Sequence, residues 1–83
     1  MQQLETLLSG ISYQLLQGQI EAKIAALVFD SREAQVDTLF CCIVGTQTDG
    51  HQYLQKAYEQ GCRFFLVQNK VIAPSDATLI QVQ

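Results

Sequence analysis

The sequence predicts an α/β domain, in which a small mixed β-sheet is flanked by helices. Two runs, residues 24–29 and 39–44, are apolar at every position, which is typical of strands buried on both faces of a sheet. The pattern then changes to a helical stripe over residues 51–60, and a third, mostly apolar run follows at residues 63–67. Strand, helix and strand from residue 39 to residue 67 therefore predict a βαβ unit, whose crossover should be right-handed.

The remaining elements are shorter and flank this unit. An apolar stripe predicts a helix over residues 2–8, and a short strand is expected over residues 13–16, before a turn at Gly18. Residues 78–82 alternate between polar and apolar types, which favours a strand at a sheet edge. The loop at residues 68–76 is long enough for this strand to run parallel or antiparallel to the preceding one, so the sequence leaves the strand order open.

Length, composition and charge limit the classes of protein to which this chain can belong. Eighty-three residues with 48% hydrophobic content predict one domain, residues 1–83, with a thin margin of stability. The net charge is −3 and the five basic residues are spread along the chain, which argues against a nucleic-acid partner. No apolar run reaches the ~20 residues of a membrane span, and the amino-terminal residues do not resemble a secretory signal. We therefore expect a cytoplasmic protein without a membrane partner.

The chain has three cysteines, an odd number that makes a poor disulfide framework. Cys41 and Cys42 are adjacent in a predicted strand and point to opposite faces, so they are unsuited to bind one metal ion. Cys62 follows the predicted helix. We expect all three to be small buried apolar residues in a reducing compartment, and we expect no metal site.

Two polar segments follow the two fully apolar runs, and the ends of such strands are where α/β domains place binding loops. The first segment is Asp30-Ser31-Arg32. The Ser31 hydroxyl can donate and accept, which suits the edge of a small polar ring, and Arg32 can pair with a phosphate or a carboxylate. The alternative is structural: Asp30 accepts backbone N–H groups in a turn, and Arg32 pairs with it at the surface.

The second segment is residues 45–51, Gly-Thr-Gln-Thr-Asp-Gly-His. Its glycines let a ligand approach the main chain, and it leads into the amino terminus of the predicted helix, which favours an anion such as a diphosphate. The alternative is that Thr48 or Asp49 only caps this helix. His51, the sole histidine, is more typical of a structural donor than of a catalyst. The chain lacks a catalytic triad, paired metal ligands and a phosphate-loop lysine, so the sequence predicts no catalytic residue.

Several motifs occur in a fixed order: Val-Phe-Asp-Ser-Arg at 28–32, Thr-Leu-Phe at 38–40, the loop at 45–51, then Ala57 and Gly61. In this order and spacing they resemble the N-terminal domain of Mur ligases, from about residue 4 to residue 82. The loop looks most like the MurE type, which adds meso-diaminopimelate or L-lysine to UDP-N-acetylmuramoyl-L-alanyl-D-glutamate. The MurF type, which adds D-alanyl-D-alanine, is the alternative.

The resemblance implies a role for each matching position. In MurE-type ligases this domain holds the UDP end of the substrate, so Phe29 would contact the uridine through its backbone and Ser31 would hydrogen-bond near the uracil. The remaining nucleotide contacts would come from Thr46, Gln47 and Thr48. The positions expected to shape the loops rather than contact the ligand are Asp30, Arg32, Asp49, Gly50 and His51.

The resemblance also implies what this chain lacks. A Mur ligase has a central ATP-binding domain and a carboxyl-terminal domain that binds the amino acid, and these residues match neither. We therefore expect the N-terminal domain of a larger ligase of peptidoglycan biosynthesis, and so of cell-wall biogenesis, cell shape and cell division. Such a domain is not catalytic alone and needs no cofactor, whereas ATP and Mg²⁺ serve the whole enzyme. The other reading is a docking module that binds no nucleotide.

One departure from the family pattern bears on the fold. Where Mur ligases usually have Pro-Gly before the Leu-Phe strand, this chain has Val36-Asp37-Thr38. We expect this difference to alter the turn and to leave the binding loops as they are.

Overall fold

The computed structural model describes residues 1–42, 50–69 and 71–82. Over these residues the chain forms seven strands and two α-helices, with two 3-10 turns at Ser31–Glu33 and Gly50–Tyr53. The helices are α1 (Leu4–Leu7) and α2 (Leu54–Glu59). The strands are β1 (Gln2–Gln3), β2 (Gln14–Gln17), β3 (Lys23–Ile24), β4 (Ala26–Val28), β5 (Thr38–Cys42), β6 (Phe64–Val67) and β7 (Thr78–Gln81).

Five strands form one mixed sheet in the order β2-β7-β6-β5-β4. The strands β4, β5, β6 and β7 run parallel, and β2 is antiparallel to β7. The predicted α/β fold with a mixed sheet is confirmed. The βαβ unit is confirmed as well, because α2 connects the neighbouring parallel strands β5 and β6. A separate two-stranded antiparallel sheet pairs β1 with β3.

The run at residues 24–29 is not one strand buried on both faces, as the sequence predicted. It bends at Ala25, whose N–H donates to the Asp37 carbonyl at 2.7 Å, and this bend separates β3 from β4. Within the five-stranded sheet β4 pairs only with β5, so it forms an edge. Leu27 is therefore 47% exposed, and Phe29, just beyond the strand, is 60% exposed. Apolar residues at an open edge give the same sequence pattern as a buried strand, which explains the wrong prediction.

The last strand, β7, is not the sheet edge that its alternating pattern predicted. It lies between β2 and β6, and Thr78, Leu79 and Ile80 are all buried. The polar residues that suggested an edge, Thr78 and Gln81, stand at the two ends of the strand. At the first of these ends the Thr78 N–H donates to the Arg63 carbonyl at 2.7 Å. The strand runs parallel to β6, which answers the question of direction that the sequence left open.

The two helices are shorter than the predicted spans. Gln2 and Gln3 pair with β3, so only four residues remain for α1. The second helix is preceded by the 3-10 turn at Gly50–Tyr53 and is followed by Gly61, whose φ of 105° is a left-handed conformation typical of a glycine that ends a helix.

Asp37 lies in the turn before β5, with a φ of 64°. Among the described residues it is the only non-glycine with a positive φ. This is the turn in which the sequence departs from the Mur ligase pattern that it resembles, and aspartate is one of the few side chains other than glycine that occasionally adopt this conformation. The departure therefore places a tolerated but strained residue at a position that suits glycine.

The core has two parts, one on each face of the five-stranded sheet. On the α2 face, Leu54 packs with the rings of Phe40 and Phe65, which meet edge to face with centroids 6.4 Å apart. On the opposite face, Leu4 of α1 packs against Ile80. Successive residues of the central strands therefore serve opposite faces, which accounts for their unbroken apolar sequence. No helix among the described residues is long and apolar enough to cross a membrane.

The three cysteines are buried, at 2% exposure or less, and none forms a disulfide. The predicted burial is therefore confirmed. Cys62 precedes β6, and its thiol contacts the carbonyl oxygens of Thr38 and Phe64, each at 3.3 Å. Burial raises the pKa of Cys41 from 9.0 to about 11, so this thiol stays protonated at neutral pH.

Candidate functional site

The strands that precede the two predicted binding segments end at the same edge of the sheet. The strands β4 and β5 are parallel neighbours, so their carboxyl ends lie side by side. Residues 29–32 follow β4 directly at this edge, which we call the carboxyl edge. The second segment follows β5, and its predicted site residues Thr46, Gln47, Thr48 and Asp49 lie outside the described residues. The strands before the two segments thus end side by side, as expected for a binding site at the carboxyl ends of neighbouring strands.

A tight turn follows β4 and is held by an ion pair. Asp30 caps the 3-10 turn: its Oδ1 accepts from the Arg32 backbone N–H at 2.9 Å. The Arg32 guanidinium also donates to Asp30, with Nη2 2.6 Å from Oδ2. The Arg32 side chain is 80% exposed and that of Asp30 is 39% exposed. The two side chains are therefore engaged with each other at the surface, which is the structural alternative described above for this segment.

The charges in this turn perturb one another. Hydrogen bonds from the Arg32 side chain and backbone lower the pKa of Asp30 from 3.8 to about 2, with a smaller lowering from the positive charge of Lys56. The same pair raises the pKa of Arg32. Asp30 is therefore ionised at neutral pH and cannot serve there as a proton donor. Its carboxylate acts as a turn-forming acceptor.

The end of α2 is tied to this turn by Gln60. Its side-chain Nε2 donates to the backbone carbonyl of Ser31 at 2.6 Å and to that of Ala34 at 2.8 Å. Ser31 is only 9% exposed and Ala34 only 3% exposed. One amide thus fixes the turn that carries a predicted ligand-binding serine. Sequence reasoning missed Gln60, because its partners are 29 and 26 residues away along the chain.

Phe29 presents the largest apolar surface at the start of this segment. It follows the last residue of β4 and is 60% exposed, next to Leu27, which is 47% exposed on the same edge strand. An exposed aromatic ring beside a polar turn suits a flat heterocycle, which can lie against the ring and present its polar edge to the turn. The structure brings Phe29, Asp30, Ser31 and Arg32 together, as their adjacency in sequence requires.

The second segment rejoins the described residues at the 3-10 turn Gly50–Tyr53, which leads into α2. Gly50 and His51 open this turn. α2 lies on one face of the sheet and packs against the core there through Leu54 and Ala57. A ligand held by both segments would therefore lie at the carboxyl edge, on the face that carries α2.

The chain is similar in sequence to several curated ligases, although no protein-family model matches it. It is 31% identical over 80 residues to the UDP-N-acetylmuramoyl-L-alanyl-D-glutamate--2,6-diaminopimelate ligase of Clostridium perfringens, covering 96% of this chain and 16% of that protein. The same enzyme of Clostridioides difficile is 34% identical over 80 residues, and that of Phocaeicola vulgatus is 38% identical over 66 residues, or 80% of this chain. These alignments cover 16% and 14% of those two proteins. The chain thus spans about one-sixth of the length of the curated relatives it matches.

The fold is similar to that of solved ligase structures. A crystal structure of MurF from Acinetobacter baumannii matches 98% of this chain and 18% of that protein, with a TM-score of 0.85 and 21% identity. MurF ligase from Thermotoga maritima in complex with ADP matches 70% of this chain and 13% of that protein, with a TM-score of 0.60 and 21% identity. At this level of identity the structural matches establish the fold alone.

Proposed function

Since this chain belongs to the Mur ligase family, we propose that it is the N-terminal domain that anchors the UDP end of UDP-N-acetylmuramoyl-L-alanyl-D-glutamate. The MurE type is preferred over the MurF type, because the curated relatives named for diaminopimelate addition match at 29–38% identity. The observation that supports the proposal is that β4 and β5, the strands that precede the two binding segments in sequence, are parallel neighbours whose carboxyl ends lie side by side.

We propose that the two segments contact different parts of the nucleotide. Phe29 would contact the uridine, and the Ser31 turn, fixed by the Gln60 amide, would hydrogen-bond near the uracil. A buried backbone holds its hydrogen-bonding groups in place before the ligand arrives, so less ordering is needed on binding. The rest of the nucleotide would be bound by Thr46, Gln47 and Thr48. The loops would be shaped by Asp30, Arg32, Asp49, Gly50 and His51.

The chemistry of the whole enzyme would lie outside these 83 residues. We infer that this chain has no catalytic residue and that neighbouring domains of the parent protein would use ATP and Mg²⁺ to join an amino acid, meso-diaminopimelate or L-lysine, to the bound substrate. Its partners would then be the UDP-N-acetylmuramoyl-peptide and the ATP-binding and carboxyl-terminal domains of the same protein. We place this step of peptidoglycan synthesis in the cytoplasm.

Calorimetric titration of this chain with UDP tests the proposal. We expect saturable but weak binding, because neighbouring domains would complete the cleft. The double variant Ser31→Ala/Gln47→Ala should weaken binding at least about tenfold, since it removes two polar contacts. A double variant at exposed positions, Ser9→Ala/Gln55→Ala, serves as the matched control and should bind as the parent does. Equal UDP binding by both double variants would show that the site is assigned wrongly.

A docking module that binds no nucleotide is the second candidate, and one observation favours it. Phe29, Val36 and Ile72 are at least 60% exposed, which is unusual for large apolar side chains. Exposed apolar side chains would, however, also be expected where a neighbouring domain packs. Binding of UDP therefore separates the two functions, because only the nucleotide-anchoring domain requires it.

A further inference from the structure

One side of the strand β2 has no partner strand in the part of the chain that the structure describes. Within the five-stranded sheet β2 pairs only with β7, so its outer side is open to the backbone of another strand. We propose that this side of residues 11–17, which we call the β2 edge, pairs antiparallel with the β2 edge of a second copy of this chain. Such an association goes beyond nucleotide binding and does not depend on it.

The sequence around the β2 edge lacks the residues that usually prevent edge strands from pairing. In monomeric proteins charged side chains and proline perform this task. From Thr6 to Ile20 the sequence contains no charged residue and no proline. The opposite edge of the sheet is different, because β4 lies between Lys23 and Asp30 in sequence. Of the two edges, the β2 edge is therefore the one suited to pairing.

Large apolar side chains accompany the open backbone. Ile11, Tyr13 and Leu15 occupy alternate positions and are 46%, 41% and 39% exposed. Leu15 lies opposite Ile80, which belongs to the core on the α1 face, so Leu15 projects to that face as well. A strand added along β2 would pair with its backbone and cover apolar surface at the same time, which is how extended segments bind to sheet edges.

A second copy is the occupant because the β2 edge is complementary to itself, as a two-fold interface requires. A two-fold axis at residue 14 places Gln14 opposite Gln14 of the second copy, and Tyr13 opposite Leu15. A carboxamide both donates and accepts, so two of them can bond to each other, whereas two like charges would repel. Each pair of Tyr13 with Leu15 is a cross-strand contact that contributes about 0.2–1 kcal/mol. Residues 13–15, nearest the axis, precede the register shift between Leu15 and Gln17.

Contacts within the chain hold β2 in place before a second copy arrives. The Gln17 side-chain Nε2 donates to the carbonyl of Pro74 at 2.7 Å and to that of Ala77 at 2.9 Å, and Leu16 packs against the core on the α2 face. A strand fixed in this way needs less ordering when it pairs. The paired stretch is short, so the interface buries less than the about 1,200 Å² of stable complexes. We therefore expect a weak dimer, with a dissociation constant of roughly 0.1–1 mM.

Sedimentation equilibrium over a range of protein concentrations tests the pairing. The average mass of the wild-type chain should rise with concentration from 9.3 kDa toward twice that value. Gln14→Lys and Gln14→Glu should each associate at least about tenfold more weakly, because each places like charges opposite each other. An equal mixture of the two variants should associate again, since a lysine then faces a glutamate. Gln55→Lys, at an exposed position on α2, makes the same charge change and should associate as the wild type does.

Association that is lost in each Gln14 variant and restored in their mixture supports the pairing, because it requires residue 14 to lie opposite itself. A wild-type chain that stays monomeric at millimolar concentration would overturn the proposal and leave a neighbouring domain of a parent protein as the occupant of this edge. Single variants that associate as the wild type does, or a mixture that stays monomeric, would overturn it as well. Because Gln14 is exposed at the start of an edge strand, both variants should fold, which far-ultraviolet circular dichroism checks.

Discussion

Gln60 joins the end of α2 to the turn that carries Ser31, so its removal should loosen the proposed binding site. Its amide makes two hydrogen bonds, of 2.6 and 2.8 Å, to the carbonyls of Ser31 and Ala34. Neutral hydrogen bonds of this kind contribute about 0.5–1.5 kcal/mol each, so the pair contributes about 1–3 kcal/mol. Because Gln60 is exposed, water can replace part of the loss. We therefore expect Gln60→Ala to lower the free energy of unfolding by about 1–2 kcal/mol.

Urea unfolding followed by circular dichroism measures this effect. For a domain of this size each kcal/mol shifts the melting temperature by about 4–8 °C, so the variant should melt about 4–16 °C lower. Gln60→Glu keeps the shape of the side chain but has no amide donor, so it should lose a similar amount. Gln55→Ala, at an exposed position on the same helix, should change stability by no more than about 0.5 kcal/mol.

The same variant has a functional consequence that a purely structural tether would lack. If the Ser31 turn binds the nucleotide, Gln60→Ala should also weaken UDP binding under conditions where the protein remains folded. A Gln60→Ala variant that unfolds at the same urea concentration as Gln55→Ala would refute the argument that this amide holds the turn.

Three further predictions follow from the turns and the core. Asp37→Gly should be more stable than Asp37→Ala by about 1 kcal/mol in urea unfolding, because glycine adopts the left-handed φ of 64° without strain. The three thiols should react with a thiol reagent at mildly alkaline pH only after unfolding, because all three are at most 2% exposed. For Cys41 burial also raises the pKa to about 11. The free energies of unfolding of the wild-type chain and of Asp30→Asn should differ by a constant amount above pH 3.8, and the difference should shrink as the pH falls toward 2. The reason is that pairing with Arg32 lowers the Asp30 pKa to about 2, so the stabilisation is lost when Asp30 is protonated.

Each of these three predictions has an outcome that would contradict it. Equal stability of the two Asp37 variants would show that the turn carries no strain. Fast thiol reaction in the native chain would mean that the core around the cysteines opens readily. A difference between wild type and Asp30→Asn that does not change between pH 3.8 and 2 would mean that the ion pair does not stabilise the turn.

The βαβ unit could be predicted from the sequence because its signals are local. The apolar strands and the change to a helical period each occupy a few consecutive residues, and Gly61 marks the end of the helix. The position of each strand in the sheet is set by partners far along the chain. The edge position of β4 therefore escaped prediction, since Leu27 and Phe29 are apolar although they are exposed.

In the candidate site, too, local contacts could be predicted from the sequence and long-range contacts could not. The pairing of Asp30 with Arg32 could be foreseen, because the two residues are two positions apart in a turn. The tether from Gln60 could not, because it joins this residue to a distant segment that only folding brings close. The roles of Thr46, Gln47 and Thr48 come from the family resemblance and stay predictions.

The central claim, that this chain anchors a uridine nucleotide at the carboxyl edge, is tested most directly by a protein-observed NMR titration with UDP. The account predicts saturable shifts at residues 29–32 and 46–51, with much smaller changes at α1 and β3 on the opposite face. Saturable shifts centred on α1 and β3, or no shifts up to millimolar UDP, would contradict it.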